Sequence, residues 1–431
     1  MASTSLAQMR KAAGLGRERD FRRLWLGYSV SALGSEVTVL ALPVTAAVLL
    51  GASALQMGVL TAAATVPNLA IGLLAGVWVD RLPRRRPLLV TTDLASAAAL
   101  ISIPLAWWWG ALSITQLVVV ELAVGCARVL FRPACQSHLP QVVEREDLTR
   151  ASGHLRASDS AAMLAGPGLG GLLVQAVSAP VAILLDAGSF LVSATCIRSL
   201  RRPERRTEPA SADRSLRREL GEGLSAVLRN PSLRAIAGSA ANLNLFGMLT
   251  MALFVAYATR VLDLSAGMVG AIVMTGGAGA LAGALAAPRI AAAIGEGRAI
   301  VAATVVFSFA LFALPLAGGP RWLELGVIGA GELVGGFAVM VFDVTAAGLT
   351  LQVVVPELLG RVSSCSAFLT QGVKPLGALA GGVLGTTLGL HEALWIAAAG
   401  ATTTMVWTFL SPLRRRDAAP QTSSHGNENA A

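Results

Sequence analysis

The sequence predicts an all-α membrane protein with twelve transmembrane helices, arranged as two six-helix halves. Three observations carry this prediction: 54% of the 431 residues are hydrophobic, the apolar residues fall into long runs, and motifs repeat between the halves. Only 14% of the residues are charged, against about 25% in soluble domains, so an ordinary soluble enzyme is excluded. A membrane β-barrel is disfavoured because barrel strands alternate in polarity, whereas these runs do not.

Each run is long enough for one spanning helix, which needs about 20 residues. Glycine and proline inside the runs do not argue against helices, because membrane helices tolerate both. In chain order the twelve runs cover residues 22–50, 56–79, 87–109, 115–138, 151–176, 180–199, 232–258, 265–290, 298–317, 323–350, 361–387 and 392–411.

The runs divide into an N-terminal bundle at 22–199 and a C-terminal bundle at 232–411. The polar, strongly basic stretch 200–231 predicts a cytoplasmic loop between the halves with some amphipathic helix. Residues 1–21 carry charges and lack the apolar core of a signal peptide, so we expect a cytoplasmic N-terminal segment. Residues 412–431 are polar and predict a disordered cytoplasmic tail.

The basic residues predict the orientation in the membrane. When the loops are assigned alternately to the two sides, 30 of the 34 Lys and Arg residues fall on the side of the termini, and only Arg260 and Arg321 on the other. By the positive-inside rule both termini are cytoplasmic and the helix number is even. Short arginine clusters between apolar runs indicate contact with membrane lipid rather than nucleic acid. Nearly all of the positive charge is arginine rather than lysine, which fits a high-GC bacterium, so we expect a bacterial inner membrane.

The two halves repeat. Residues 76–80 at the end of the second run correspond to residues 283–287 near the end of the eighth, at an offset of 207. Pro167 in the fifth run corresponds to Pro375 in the eleventh, at an offset of 208. Two pairs with nearly the same offset predict a duplicated six-helix unit, which is typical of transporters with a midplane site between the halves.

Several stretches resemble the major facilitator superfamily. The loop after the second run reads Gly76-Val-Trp-Val-Asp80-Arg81-Leu-Pro83-Arg84-Arg85-Arg86 and is similar to the superfamily's loop motif, with Pro83 where Gly is usual. The fifth run contains Gly166-Pro167-Gly168-Leu169-Gly170-Gly171, similar to the antiporter motif. With residues 34–43 and 185–187, these stretches look most like the twelve-helix drug/proton antiporter branch of macrolide-efflux proteins and the enterobactin exporter.

The resemblance implies roles for both motifs. The loop residues Gly76, Asp80, Arg81, Arg84 and Arg85 would latch the cytoplasmic side while the cavity faces outward. The alternative is a simple topogenic charge cluster. The glycines of the fifth run, with Gly166, Pro167, Gly170 and Gly171 at their centre, would let two backbones approach closely. The alternative there is a lipid-facing kink.

Charged residues inside the apolar runs are costly and mark functional sites by default. Glu36, Glu332 and Lys374 should lie near the midplane, and we expect Lys374 to pair with Glu36 or Glu332 or to line water. Glu121 stands where the superfamily often has an arginine, and Arg128 follows two turns later. Asn242, Asn244 and Gln371 could be cavity groups or form interhelical hydrogen bonds. Asp159 and Asp343 are reserve candidates for a proton carrier.

The leading functional hypothesis is proton-coupled efflux of small amphipathic molecules such as antibiotics, with Glu36 as the first-choice proton carrier. Siderophore or natural-product export is an alternative from the same branch, and a membrane sensor or scaffold without transport is an alternative from another class. The sequence contains no nucleotide-binding loop and no metal-ligand spacing among its four cysteines. We therefore expect a transporter rather than an enzyme, monomeric, with no cofactor and no metal.

Overall fold

The computed structural model describes residues 19–202, 204 and 216–412. Most of the expected N-terminal segment and of the expected disordered tail, and the middle of the loop between the halves, therefore lie outside the described residues. The first half contains α1 (Arg19–Val44, continued by a π turn at Thr45–Leu49), α2 (Ala54–Arg81), α3 (Arg86–Trp108), α4 (Ile114–Val142), α5 (Leu148–Val177) and α6 (Ala179–Arg198).

A connecting helix (Leu216–Arg229) leads into the second half. That half contains α7 (Pro231–Arg260), α8 (Ala266–Ile294), α9 (Glu296–Ala310, with a further turn at Ala313–Leu316), α10 (Arg321–Val353), α11 (Pro356–Thr387) and α12 (Leu390–Thr402, continued at Thr404–Phe409).

Ten of the helices in the described part of the chain are long and apolar enough to cross a membrane. The other two long elements, α11 and α12, complete the set of twelve. Residues such as Arg361 and Lys374 lower the hydrophobicity of α11, and Thr403 interrupts α12. The predicted all-α fold of two six-helix repeats is confirmed, whereas the domain boundaries stay a prediction.

The two ends of the bundle differ in charge. We call the end where α1 begins and α2 ends the arginine-rich face, and the opposite end the arginine-poor face. At the arginine-poor face, serine side chains cap three helices: Ser53 accepts from Gln56 N, Ser113 from Gln116 N, and Ser265 from Met268 N. Such caps satisfy backbone donors that a helix start leaves without partners, so they fix where α2, α4 and α8 begin.

The two halves meet along α2 with α11 and along α5 with α8. Glycines allow this contact near the arginine-poor face: a Cβ added at Gly58 would lie 2.7 Å from Gly382 Cα, and one at Gly171 would lie 3.0 Å from Gly270 Cα. Arg260 on α7 also donates to the carbonyl oxygen of Ala47, which belongs to the first half, at 2.8 Å.

Toward the arginine-rich face the same helices lose this contact. Gly72 and Gly76 follow Gly58 on one side of α2 at helical spacing, and Leu69 on that side still reaches Gly372 of α11. A Cβ added at Gly72 or Gly76 would meet no atom of the described residues within 4 Å. Along α2 and α11 the halves are therefore joined near the arginine-poor face and separate toward the arginine-rich face.

Candidate functional site

A charged cavity lies inside the first half, between α1, α3, α4, α5 and α6. The space that it offers to water-sized atoms is about 180 Å³. Its acidic and basic lining residues are Glu36, Asp93, Asp159, Arg128 and Arg132. Three carboxyl groups and two guanidinium groups in one membrane-embedded cavity make this the strongest candidate for a functional site.

One side of α1 forms a wall of this cavity. Tyr28, Ser31 and Ser35 recur at three- and four-residue spacing, so they share one side of the helix and all line the cavity. The Tyr28 hydroxyl donates to Asp159 Oδ1 at 2.9 Å, and its ring stacks on Phe131 at 6.4 Å between centroids. Tyr28 therefore holds α1, α4 and α5 in one arrangement around the cavity.

Glu36 lies directly against the glycine motif of α5. A Cβ added at Gly166 would collide with Glu36 Cβ and come within 3.2 Å of Glu36 Cγ. The positive charges of Arg128 and Arg132, both on α4, reach the Glu36 carboxyl group. The absence of a side chain at position 166 thus makes room for the Glu36 side chain in a cavity that Arg128 and Arg132 also line.

The glycines of this motif face two different neighbours. Gly170 lies against Val37 of α1, where an added Cβ would be 3.2 Å from Val37 Cα. Gly168 lies against Met274 of α8, with 2.7 Å from an added Cβ to the sulfur. Together with the contact of Gly171 on Gly270, these positions make α5 a helix that touches α1 on one side and the second half on the other.

Arg128 joins the charged cavity to a largely apolar gap between the halves. It lines both spaces, and Glu121 lines the gap beside it. On the side of the second half the gap is bounded by Met251, Phe254 and Val273. These three side chains also line a cavity inside the second half, so the three spaces adjoin one another.

The cavity of the second half is apolar except for Thr250 and one acid. Glu332 on α10 is the single charged residue among the described residues that line it, with Phe254, Phe307 and Met251 among its apolar walls. An added Cβ at Gly276 of α8 would lie 3.0 Å from Glu332 Oε2, so the carboxyl group points toward α8.

The charge that acts on Lys374 comes from Asp343 of α10 rather than from Glu36 or Glu332. The alternative expectation, that Lys374 lines water, stays a prediction. Depth along a helix, which the sequence gives, does not determine which neighbouring helix a side chain faces. Gln371 lies one turn earlier on α11 and is exposed.

The two asparagines of α7 are held by hydrogen bonds. Asn242 Nδ2 donates to Thr403 Oγ1 at 2.9 Å and to Thr404 Oγ1 at 2.8 Å, which ties α7 to the interruption of α12. Asn244 Nδ2 donates to the carbonyl oxygen of Ala240 in its own helix at 2.9 Å. Of the two sequence interpretations, the interhelical hydrogen bond applies to Asn242.

The predicted latch is described only in part. The backbone of Asp80 belongs to α2, but its side chain lies outside the described residues. Arg81 and Arg84 are exposed, whereas Arg85 is buried. The main-chain N–H groups of Arg85 and Arg86 both donate to Glu204 Oε1.

Sequence reasoning missed Tyr28, Arg132 and Glu204. Arg132 follows Arg128 by one helical turn, so helical periodicity would have placed it beside a residue that the sequence had already singled out. Nothing in the sequence indicates the Glu204 contact. Within the described ranges, no cluster of three His, Cys, Asp or Glu residues is arranged to hold a metal ion.

Comparison with known proteins gives the family. The model of the Major Facilitator Superfamily matches residues 24–373. The uncharacterized MFS-type transporter y4rN of Sinorhizobium fredii is 31% identical over 368 residues, 84% of this chain and 87% of that protein. The multidrug efflux pump Tap of Mycobacterium tuberculosis is 29% identical over 411 residues, 91% of this chain and 93% of the pump.

A solved structure agrees with this fold. The chain is similar, with a TM-score of 0.73 and 17% identity, to the crystal structure of a bacterial homologue of the iron transporter ferroportin in the inward-facing state. The match covers 94% of this chain and all of the other. These proteins are membrane transporters, so the resemblance drawn from the motifs and the prediction of a transporter rather than an enzyme are confirmed.

Proposed function

The chain belongs to the major facilitator superfamily, and from that premise we propose that it exports small amphipathic molecules across the bacterial cytoplasmic membrane in exchange for protons. One observation carries the proposal. Glu36 lies between Gly166 and two arginine charges, in a cavity that adjoins an apolar gap between the halves. The similarity to a multidrug efflux pump supports the direction of transport and the broad substrate class.

We propose that the arginine-rich face is cytoplasmic. The separation of the halves toward that face then describes a state whose cavity receives substrate from the cytoplasm. Export requires the opposite state, in which the contacts of Gly58 with Gly382 and of Gly171 with Gly270 part. The predicted latch, formed by Gly76, Asp80, Arg81, Arg84 and Arg85, would then close the arginine-rich face.

Proton coupling needs a group whose proton occupancy differs between the two states. Desolvation raises the affinity of a carboxyl group for a proton, and nearby cations lower it. A change in either one between the two states therefore changes proton occupancy. Glu36 is placed for this, because it lies on α1 against α5, and α5 also contacts α8 of the other half. A shift of α5 between states would move Gly166 relative to Glu36.

The gap and the second-half cavity indicate the class of substrate. Met251, Phe254 and Phe307 offer apolar and aromatic contact, and Glu332 adds one carboxyl group without a cation on that cavity wall among the described residues. This combination suits a neutral or cationic amphipathic molecule. An anionic siderophore would meet the Glu332 carboxyl group, so we rank siderophore export below drug efflux.

Transport in inverted membrane vesicles tests the proposal. Vesicles containing the protein should take up a fluorescent lipophilic cation such as ethidium when an acid-inside proton gradient is imposed, and should release it when nigericin dissipates that gradient. Vesicles without the protein are the control. Uptake that does not respond to the gradient would refute proton coupling, and no uptake of any amphipathic probe would favour a sensor or scaffold.

Cysteine labelling tests the orientation. In a variant with the four native cysteines replaced by alanine, Gly221→Cys in the connecting helix should react only from the cytoplasm. Ala111→Cys, in the turn between α3 and α4, should react only from outside. Both positions are exposed. Labelling from the reverse sides would overturn the assignment of the arginine-rich face.

A further inference from the structure

A basic pocket lies at the arginine-rich face between the start of α3 and the end of α6. Arg84, Arg86 and Arg198 line it together with Glu204, and Pro87 and Val90 form its apolar wall. None of these residues lines the charged cavity or the gap between the halves. The pocket is therefore separate from the path proposed for the substrate.

Hydrogen bonds hold this pocket in shape. The Glu204 carboxylate accepts from the N–H groups of Arg85 and Arg86, the latter at 3.1 Å, and so satisfies donors at the start of α3. The side chain of Arg86 donates to the carbonyl oxygen of Arg198. The chain after α6, the end of α6 and the start of α3 are thus fixed to one another, which places three arginines around one space.

The pocket carries excess positive charge. The guanidinium groups of Arg84 and Arg198 make no hydrogen bond or ion pair within the described part of the chain, and both residues are exposed. Arg86 donates to a neutral carbonyl group, so its charge is not neutralised there. Glu204 is the single acid among the described lining residues. Guanidinium groups bind phosphate oxygens in paired hydrogen bonds, so phosphate is the chemistry that this pocket fits.

The surface beyond the pocket is apolar. Leu94 lies one turn past Val90 on α3 and is 45% exposed, and Leu191 lies two turns before Arg198 on the same side of α6 and is 40% exposed. In a spanning helix these side chains face acyl chains, whereas the arginines lie at the level of the headgroups. A free phosphate ion would make no use of that apolar surface, but a phospholipid would use both parts.

We propose that this pocket binds the headgroup of an anionic phospholipid, with its acyl chains along α3 and α6. Basic pockets between spanning helices on the cytoplasmic side are suited to such lipids. The inference does not depend on the proposed transport function.

Lipid retention measures the proposed binding. The purified protein is exchanged into detergent containing phosphatidylglycerol or phosphatidylcholine, and bound lipid is counted by native mass spectrometry. The variant Arg84→Gln/Arg198→Gln removes two pocket charges. Arg145→Gln/Arg229→Gln is the matched control, because it removes two exposed arginines of the same face outside the pocket. We expect the wild type and the control to retain phosphatidylglycerol, and the pocket variant to bind it more than about tenfold more weakly.

The same experiment can overturn the proposal. Equal loss in the pocket variant and the control would mean general surface attraction, and equal retention of phosphatidylcholine would mean no selectivity for negative charge. Displacement of the lipid by millimolar inorganic phosphate would mean that the pocket takes the free ion. Because Arg84 also belongs to the predicted latch, Arg198→Gln alone must reproduce part of the loss. Unchanged thermal unfolding shows that each variant is folded.

Discussion

The two halves share one helix order but differ in what their cavities contain. Five acidic and basic residues line the cavity of the first half, whereas Glu332 is the one acidic or basic residue among the described residues that line the cavity of the second. At the offset of 207, Gly125 of α4 corresponds to Glu332 of α10. Gly125 packs under Pro67 of α2, with 2.8 Å from an added Cβ to Pro67 Cγ, whereas Glu332 packs against Gly276 of α8. The corresponding helices pack closely at this level in both halves. In the first half α2 supplies the side chain and α4 the glycine, whereas in the second half α10 supplies the side chain and α8 the glycine.

This difference suggests a division of roles. A duplicated fold needs a small residue wherever two helices approach closely, and either helix of the pair can supply it. Cavity side chains are free to differ, because the fold does not depend on them. We infer that the first half handles protons and the second half contacts the apolar substrate.

Glu36→Gln should have the largest effect, because it removes the proposed proton carrier while nearly keeping its shape. We expect gradient-driven uptake in vesicles to fall by about 5- to 150-fold, the range of typical coupling free energies, with normal abundance in the membrane. Glu392→Gln, at the start of α12 and outside the three cavities, is the control. If Glu36→Gln transports normally, the first half does not carry the coupling through this residue.

Gly166→Ala should have the next largest effect, since the added Cβ would collide with Glu36. Overpacking costs about 1–3 kcal/mol, and relief requires Glu36 to move relative to Arg128. We expect reduced proton-driven uptake from folded protein. Gly153→Ala on the same helix, where the added Cβ meets no described atom within 4 Å, should leave uptake unchanged. Equal uptake in both variants would show that Gly166 does not position Glu36.

Glu332→Gln should have a smaller and selective effect. Loss of the one charge on the second-half cavity should weaken uptake of a lipophilic cation by about tenfold, equivalent to about 1.4 kcal/mol, and spare a neutral amphipathic substrate. Competition between ethidium and a neutral probe in the same vesicles measures this. An equal loss for both probes would place Glu332 in proton coupling rather than in substrate contact. It would contradict the inference that the first half handles protons and the second half contacts the substrate.

The sequence predicts the fold of both halves well, because each spanning helix is encoded locally by its apolar run. It also singles out Glu36 and Gly166, but not their contact. Distance from a helix end gives the depth of a residue, while its neighbours depend on rotation about the helix axis and on which helices are adjacent. The same reason explains why the charge that acts on Lys374 is that of Asp343 and why Asn242 bonds to α12. Tyr28 was missed because a tyrosine within an apolar run gives no sign that its side chain lines a cavity.

Asn242→Ala should have the smallest effect and tests whether polar groups of the second half outside its cavity are structural. The variant loses two hydrogen bonds to α12, and interhelical hydrogen bonds in membranes average about 0.6 kcal/mol each. We therefore expect a destabilisation of about 1 kcal/mol, seen as a slightly lower thermal midpoint in detergent, with unchanged probe selectivity. Asn244→Ala loses a bond within its own helix and should cost less. A change of selectivity in Asn242→Ala would instead make this residue part of the substrate path, because α7 also supplies Met251 and Phe254 to the gap.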